Sequence, residues 1–195
     1  MTKNSQNVKG TEEIIQALLR NKTEHIFGFP GGSVMPLYDD FLKYTDKLRH
    51  VLVRHEQAAS HAADAYARVA KKAGVCLTTS GPGATNIVTG LMSAYMDSIP
   101  VIAMSGNVPT TLLGNDAFQE TDMVGITMPI TKHNYQIRHP NEISNVFDNA
   151  FHIAQTGRPG PVFIDLPKDV QVNEVTKRKK TIIHSGFKPN TRGHP

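Results

Sequence analysis

The sequence predicts an α/β fold: an open, doubly wound, mainly parallel sheet of about six strands with helices on both faces. Two observations carry this expectation. Short runs that are apolar throughout, such as Val101-Ile102-Ala103-Met104 and Val162-Phe163-Ile164, alternate with amphipathic stretches at helical spacing. Strands of that kind are covered on both sides. Turns rich in glycine and proline punctuate the alternation, among them Pro30-Gly31-Gly32 and Gly81-Pro82-Gly83, as strand-to-helix handovers require. In such sheets the crossovers are right-handed, and the working residues stand just past the carboxyl ends of the strands.

Each element has its own signal. Thr11 to Asn21 carries Ile14, Ile15, Leu18 and Leu19 on one helical face, with Thr11 placed as its cap. His25 to Phe29 is a short strand stopped by Pro30-Gly31-Gly32, and Ser33 is placed to cap the next helix, which bears Leu37, Tyr38, Phe41 and Leu42. The strand His50 to His55 runs into an alanine-rich helix from Glu56 to about Lys72, whose small side chains admit a close neighbour. Asp64 and Arg68 on it are spaced for an ion pair one turn apart. Gly74 to Thr79 is a third strand, followed by Ser80-Gly81-Pro82-Gly83 and a helix from Ala84 to about Met96. A fourth strand, Pro100 to Met104, ends at Ser105-Gly106-Asn107. Residues 107–129 are irregular, with a short helix expected near Phe118 to Met123. Thr131 to Ile137 reads as a strand and Asn141 to Gln155 as a helix, broken by Gly157-Arg158-Pro159-Gly160. Pro161 to Leu166 is the last strand.

At 195 residues the chain suits one domain with a tail. Its single cysteine, Cys76, excludes a disulfide scaffold and fits a reducing compartment. No apolar run is long enough to span a membrane, and the N-terminus lacks the apolar stretch of a signal peptide, so a cytoplasmic location is expected. The net charge of +4 is unevenly placed: residues 1–170 hold 15 Lys and Arg against 16 Asp and Glu. The excess sits in the tail around Lys177, Arg178, Lys179 and Lys180. A near-neutral globule does not point to nucleic acid. Residues 1–172 are therefore read as the domain and 173–195 as a basic linker.

Glu56 is the first candidate for chemistry, because it stands where an apolar strand passes into an apolar helix. A carboxylate there is also what the helix dipole favours. The turns at Pro30-Gly31-Gly32 and Gly81-Pro82-Gly83 each put a helix N-terminus where an anion could dock, yet neither matches a phosphate-loop pattern. The nine histidines lack metal-ligand spacing, so no metal site is expected in this chain. No nucleophile elbow is present. Asp116-Ala117-Phe118-Gln119-Glu120 and Pro129 to Asn134 place polar and aromatic residues in a weakly structured stretch, where binding residues concentrate.

Seven segments occur in one order: Gly28-Phe29-Pro30-Gly31-Gly32, Arg54-His55-Glu56-Gln57, Thr79 to Asn86, Met96 to Pro100, Asp116 to Glu120, Thr131-Lys132-His133, and Gly157 to Asp169. Together they resemble the N-terminal, pyrimidine-binding domain of the thiamine-diphosphate enzymes. Within these, DAFQE and TKH make the chain most similar to the acetolactate synthase (acetohydroxyacid synthase) large-subunit family. The resemblance covers residues from about 9 to 172 of the chain.

This resemblance implies roles for individual residues. Glu56 would hydrogen-bond the aminopyrimidine of thiamine diphosphate and promote the tautomer that takes the proton from the thiazolium carbon. The carbanion so formed attacks pyruvate, carbon dioxide leaves, and the two-carbon unit is ligated to a second 2-keto acid, a step of branched-chain amino acid biosynthesis. For Glu56 to share its proton near neutrality, a partly desolvated setting is expected. Pro30, Gly31 and Gly32 would let backbone approach the cofactor, with Gln119 beside cofactor and substrate. Phe118, Lys132 and Lys168 would line the substrate channel, and Arg158, with Ser98 near it, would contact FAD. Thr110 and Thr111 stand where many members carry arginine. The family holds the diphosphate and magnesium through a GDG motif in a C-terminal domain and most of the FAD in a central one. No GDG occurs in this sequence, so the chain is expected to be a fragment, inactive alone, of a homo-oligomer (dimer or tetramer) with a possible small regulatory subunit. The alternatives are a related thiamine-diphosphate decarboxylase or pyruvate oxidase, and a stand-alone non-catalytic binding module.

Overall fold

The computed structural model describes residues 8–176 and 192–193. In chain order its elements are β1 (Val8–Lys9), α1 (Gly10–Arg20), β2 (His25–Gly28), α2 (Met35–Phe41), β3 (Arg49–Leu52), α3 (Glu56–Ala70), β4 (Gly74–Thr78), α4 (Pro82–Thr85), α5 (Val88–Met96), β5 (Val101–Asn107), α6 (Met123–Thr127), β6 (His133–Gln136), α7 (Ile143–Gln155), β7 (Val162–Pro167), α8 (Lys168–Val172) and β8 (Glu174–Val175). Six strands form one sheet in the order β3-β2-β4-β5-β7-β6. Every pairing in it is parallel.

The apolar strands are buried on both faces, as their composition demands. Alternate residues of the central strands feed two separate cores. Val75 and Leu77 of β4, Ile102 and Met104 of β5, and Ile164 of β7 pack with α1, α2 and α7. Cys76, Ala103 and Phe163, their immediate neighbours, pack with α3 and α5. Phe147 and Phe163 are fully buried, one in each core, and burial of such a ring contributes about 1.5–3 kcal/mol. The expected pair on α3 is present: Arg68 Nε lies 2.7 Å from Asp64 Oδ1.

Several local expectations are corrected. Thr11 is not the cap of α1, which begins at Gly10; its hydroxyl donates to Asp40 instead. Ser33 does not cap α2, because its side chain is engaged with the end of β4. The single helix expected from Ala84 to Met96 is broken into α4 and α5 at Asn86 and Ile87. β5 continues through Ser105, Gly106 and Asn107, which pair with Asp165, Leu166 and Pro167 and so lie within the sheet rather than beyond it. The short helix expected near Phe118 to Met123 is displaced to α6, where the Asp122 carboxylate accepts from the Gly125 N–H at its start.

The domain also reaches past residue 172. β8 pairs antiparallel with β1, and the Thr176 N–H donates to Asn141 Oδ1 at 2.9 Å. The basic cluster Lys177 to Lys180 lies outside the described residues. No helix among the described residues is long and apolar enough to cross a membrane.

Candidate active site

The strand order reverses at β2. The chain leaves β2 toward β3 on one side, while β4, on the other side of β2, leads on to β5. At such a switch point the two connections diverge and open a crevice above the carboxyl ends. Gly31 follows β2 and Thr79 follows β4, so both stand at this crevice.

They meet without room for a side chain between them. A β-carbon on Gly31 would stand 2.4 Å from Thr79 Cβ. The Thr79 hydroxyl lies 2.9 Å from Ser33 Oγ, which also accepts the Ser80 N–H at 2.9 Å. The Ser33 carbonyl accepts from Gln171 Nε2 at 2.8 Å. Ser33 thus ties the turn after β2 to the turn after β4 and to α8. Gly32 is different: among the described residues, nothing beyond its own chain neighbours lies within 4 Å of the place its β-carbon would take.

Glu56 opens α3 as its first residue, after His55, whose ring nitrogen accepts the Gln57 N–H. Its side chain is half-buried and leans over the turn after β4. Glu56 Oε2 accepts from Asn86 Nδ2 at 2.9 Å. Glu56 Oε1 lies 3.2 Å from the position a β-carbon would take on Gly83. On the far side of the same turn, a β-carbon on Gly81 would stand 2.8 Å from the Gln119 carbonyl oxygen. Gly81 and Gln119 both hold left-handed backbone, with φ of 58° each. The turn Gly81-Pro82-Gly83 therefore sits between Glu56 and Gln119, and glycine at both its ends is what brings them close.

The 113–120 loop is held in shape by Glu120, whose carboxylate accepts the N–H groups of Ala117 (2.9 Å) and Gly114. Those donors hold the Glu120 carboxyl below the usual range. Phe118, in the same loop, is 87% exposed. Lys168 begins α8 directly after β7, exposed and on the same carboxyl edge. Thr110 turns back onto α8, its N–H and hydroxyl both donating to Asp169, at 2.9 and 2.5 Å.

Three of the expected residues stand elsewhere. Lys132 precedes β6, at the amino edge of the sheet. Its ammonium donates to the carbonyls of Ile153 and Thr156 (the latter at 2.6 Å), closing the end of α7. Burial lowers its pKa. In this position its ammonium caps the carbonyl end of α7. Arg158 and Ser98 do meet, Nε to Oγ at 2.7 Å, but also at the amino edge. There Arg158 also donates to the carbonyls of Tyr95 and Met96 at the end of α5.

Sequence reasoning missed a buried polar cluster. Asp165, inside β7 and 1% exposed, accepts on Oδ2 from Asn107 Nδ2 (2.7 Å) and Gln136 Nε2 (2.9 Å). Burial raises its pKa to about 6, with the nearby Asp122 charge adding to the shift. The signal was an acid inside the apolar run Val162-Phe163-Ile164-Asp165-Leu166, where charged residues are rare. Among the described residues no three His, Cys, Asp or Glu side chains gather as a metal ligand set.

Residues 8–126 match the family model described as "Thiamine pyrophosphate enzyme, N-terminal TPP binding domain". The chain is 58% identical over 192 residues to a Methanocaldococcus jannaschii protein named "Probable acetolactate synthase large subunit", covering 96% of this chain and 32% of that protein. It is 51% identical over 193 residues to an acetolactate synthase of Arthrospira platensis, covering 96% of this chain and 33% of that one. With the acetolactate synthase large subunit of Cyanidium caldarium the identity is 49% over 195 residues, 99% of this chain and 33% of that protein. The chain thus spans about a third of the length of these relatives.

Proposed function

Because the chain belongs to the family of thiamine pyrophosphate enzyme N-terminal TPP binding domains, we propose that it supplies the pyrimidine-binding half of an acetolactate synthase active site. The whole enzyme would decarboxylate pyruvate and ligate the remaining two-carbon unit to a second 2-keto acid. The observation that carries this reading is the Glu56 carboxylate, half-buried at the switch-point crevice with one oxygen engaged by Asn86 and the other beside Gly83.

The residues at the crevice fit a flat aminopyrimidine. Gly32 presents backbone with open space where a side chain would stand, while Gly83, whose β-carbon would stand 2.6 Å from Thr79 Cγ2, lets the turn pack closely beneath Glu56 Oε1. When bound, thiamine diphosphate supplies a carbanion that adds to a keto carbon and takes up the electron pair left by carbon dioxide. The chain's part is to orient and to move a proton. Glu56 hydrogen-bonds a ring nitrogen of the pyrimidine and shares its proton with it. Pro30 and Gly31, fixed by Thr79, shape the wall on the β2 side. Gln119, Phe118 and Lys168 form the mouth through which the keto acid enters, and Lys168 offers a cation to its carboxylate.

Magnesium and the diphosphate are assigned to parts of the enzyme outside this chain, as is most of the FAD. Arg158 with Ser98 would be this chain's contact with FAD, at the opposite edge of the sheet. The active unit is proposed to be a homo-oligomer located in the cytoplasm, with a small regulatory subunit as a further partner. The outward faces of α3 and α5 support an oligomer, since α5 carries no charge and Val69, Met92 and Met96 are exposed there.

The test replaces the matching third of the Methanocaldococcus jannaschii relative with this chain and supplies thiamine diphosphate, magnesium, FAD and pyruvate. Acetolactate as the product supports the reading. Acetaldehyde or acetyl phosphate in its place would assign the site to a decarboxylase or an oxidase.

A further inference from the structure

Asn86 stands at the break between α4 and α5, its N–H bonded to the Pro82 carbonyl at 3.2 Å. The helix break aims its side chain back toward α3. There Asn86 Nδ2 meets Glu56 Oε2 at 2.9 Å. Among the described residues no cation pairs with Glu56. The second oxygen, Oε1, lies 3.2 Å from the position a β-carbon would take on Gly83, and the Asn86 contact leaves it unengaged.

A neutral amide suits this place for a physical reason. An arginine or lysine in its stead would favour the ionised carboxylate strongly and weaken its hold on a proton. An apolar residue would leave the carboxyl free to rotate among rotamers. An amide fixes the geometry and adds no net charge.

We propose, resting on the function assigned above, that Asn86 is a positioning residue: it holds Glu56 Oε2 so that Oε1 is the oxygen presented to the pyrimidine ring nitrogen. Asn86 touches neither cofactor nor substrate in this role and acts through Glu56 alone.

The experiment uses the chimaeric holoenzyme with thiamine diphosphate and magnesium, and no keto acid. Exchange of the thiazolium carbon's hydrogen for deuterium is followed by acid quench and NMR, thiamine diphosphate affinity by calorimetry, and folding by thermal melting. Asn86→Ala is expected to slow exchange by about ten- to a hundredfold, the range of a lost orienting contact, with affinity changed less than threefold. In a Glu56→Gln background the same substitution is expected to cost nothing further. Asn86→Asp keeps the shape and sets two carboxyls 2.9 Å apart, which cannot both ionise. The acid limb of its exchange profile is expected to move to higher pH, a readout that loss of folding does not mimic. If Glu56→Gln slows exchange while Asn86→Ala and Asn86→Asp both behave as wild type, the role of Asn86 is overturned and the function stands. Equal slowing by Asn86→Ala with and without the Glu56 carboxylate also overturns it. Normal exchange in Glu56→Gln itself overturns the functional reading and this inference with it.

Discussion

Gly31 and Thr79 touch across the switch point of the sheet: a side chain on Gly31 would stand 2.4 Å from Thr79 Cβ. The contact locks the turn after β2 against the turn after β4, and neither side can yield cheaply because Thr79 is also held by Ser33. Gly31→Ala should therefore destabilise the domain by about 1–3 kcal/mol, the range for overpacking a tight site. Gly32→Ala, with open space around it, should change stability by less than about 0.5 kcal/mol and instead weaken thiamine diphosphate binding. Thermal melts of both variants, with calorimetry on the second, distinguish steric need from ligand clearance. Equal loss of stability in the two would contradict the account.

Asp165 gives the fold a pH dependence of known sign. Its folded-state pKa is raised to about 6 from 3.8, so the native state holds that proton more tightly than the unfolded chain. The contribution is most favourable below about pH 4, declines as pH rises to about 6, and is level above that. The full span is on the order of 3 kcal/mol. Asp165→Asn should abolish it. Measured by urea denaturation, the stability of the variant relative to wild type should climb between pH 4 and pH 7.5. A difference that stays constant across that range would contradict the assignment.

Cys76 is the chain's single cysteine and is fully buried, with burial pushing its thiol up to about 12. Alkylation should therefore require opening of the domain, so its rate should follow stability across the variants above. Mass spectrometry of native protein mixed with iodoacetamide should show little adduct, and protein in urea should show full labelling. Rapid labelling under native conditions would contradict the packing of β4.

Lys132 closes the end of α7 through two carbonyls. Lys132→Met should lower stability by about 1.5–3 kcal/mol, as the loss of charged hydrogen bonds of this kind does. The KM for pyruvate in the chimaera should remain unchanged. A raised KM with unchanged melting would restore the residue to the substrate route.

The alternation of apolar runs and helices was enough to read the sheet, because parallel strands covered on both faces have no other common appearance. The Asp64–Arg68 pair followed from helical spacing alone. Ser33 and Asn86 were not legible in the same way. Their roles depend on which strands become neighbours, and β2 lies beside β4, not next in sequence to it. The place of Lys132 was illegible for a related reason: a motif places a residue in the chain, while the edge of the sheet it occupies is decided by the direction of the strand it precedes. The position of Glu56 at the start of α3 was legible because a strand end followed at once by a helix start is a local signal.

Glu56→Gln in the chimaeric enzyme tests the central claim most directly, since it keeps the size of the side chain and removes its capacity to take up and release a proton. Acetolactate formation from pyruvate should fall by at least about a hundredfold, the scale of a lost acid–base group, while melting and oligomeric state are retained. Turnover within a few-fold of the unsubstituted chimaera would contradict the account.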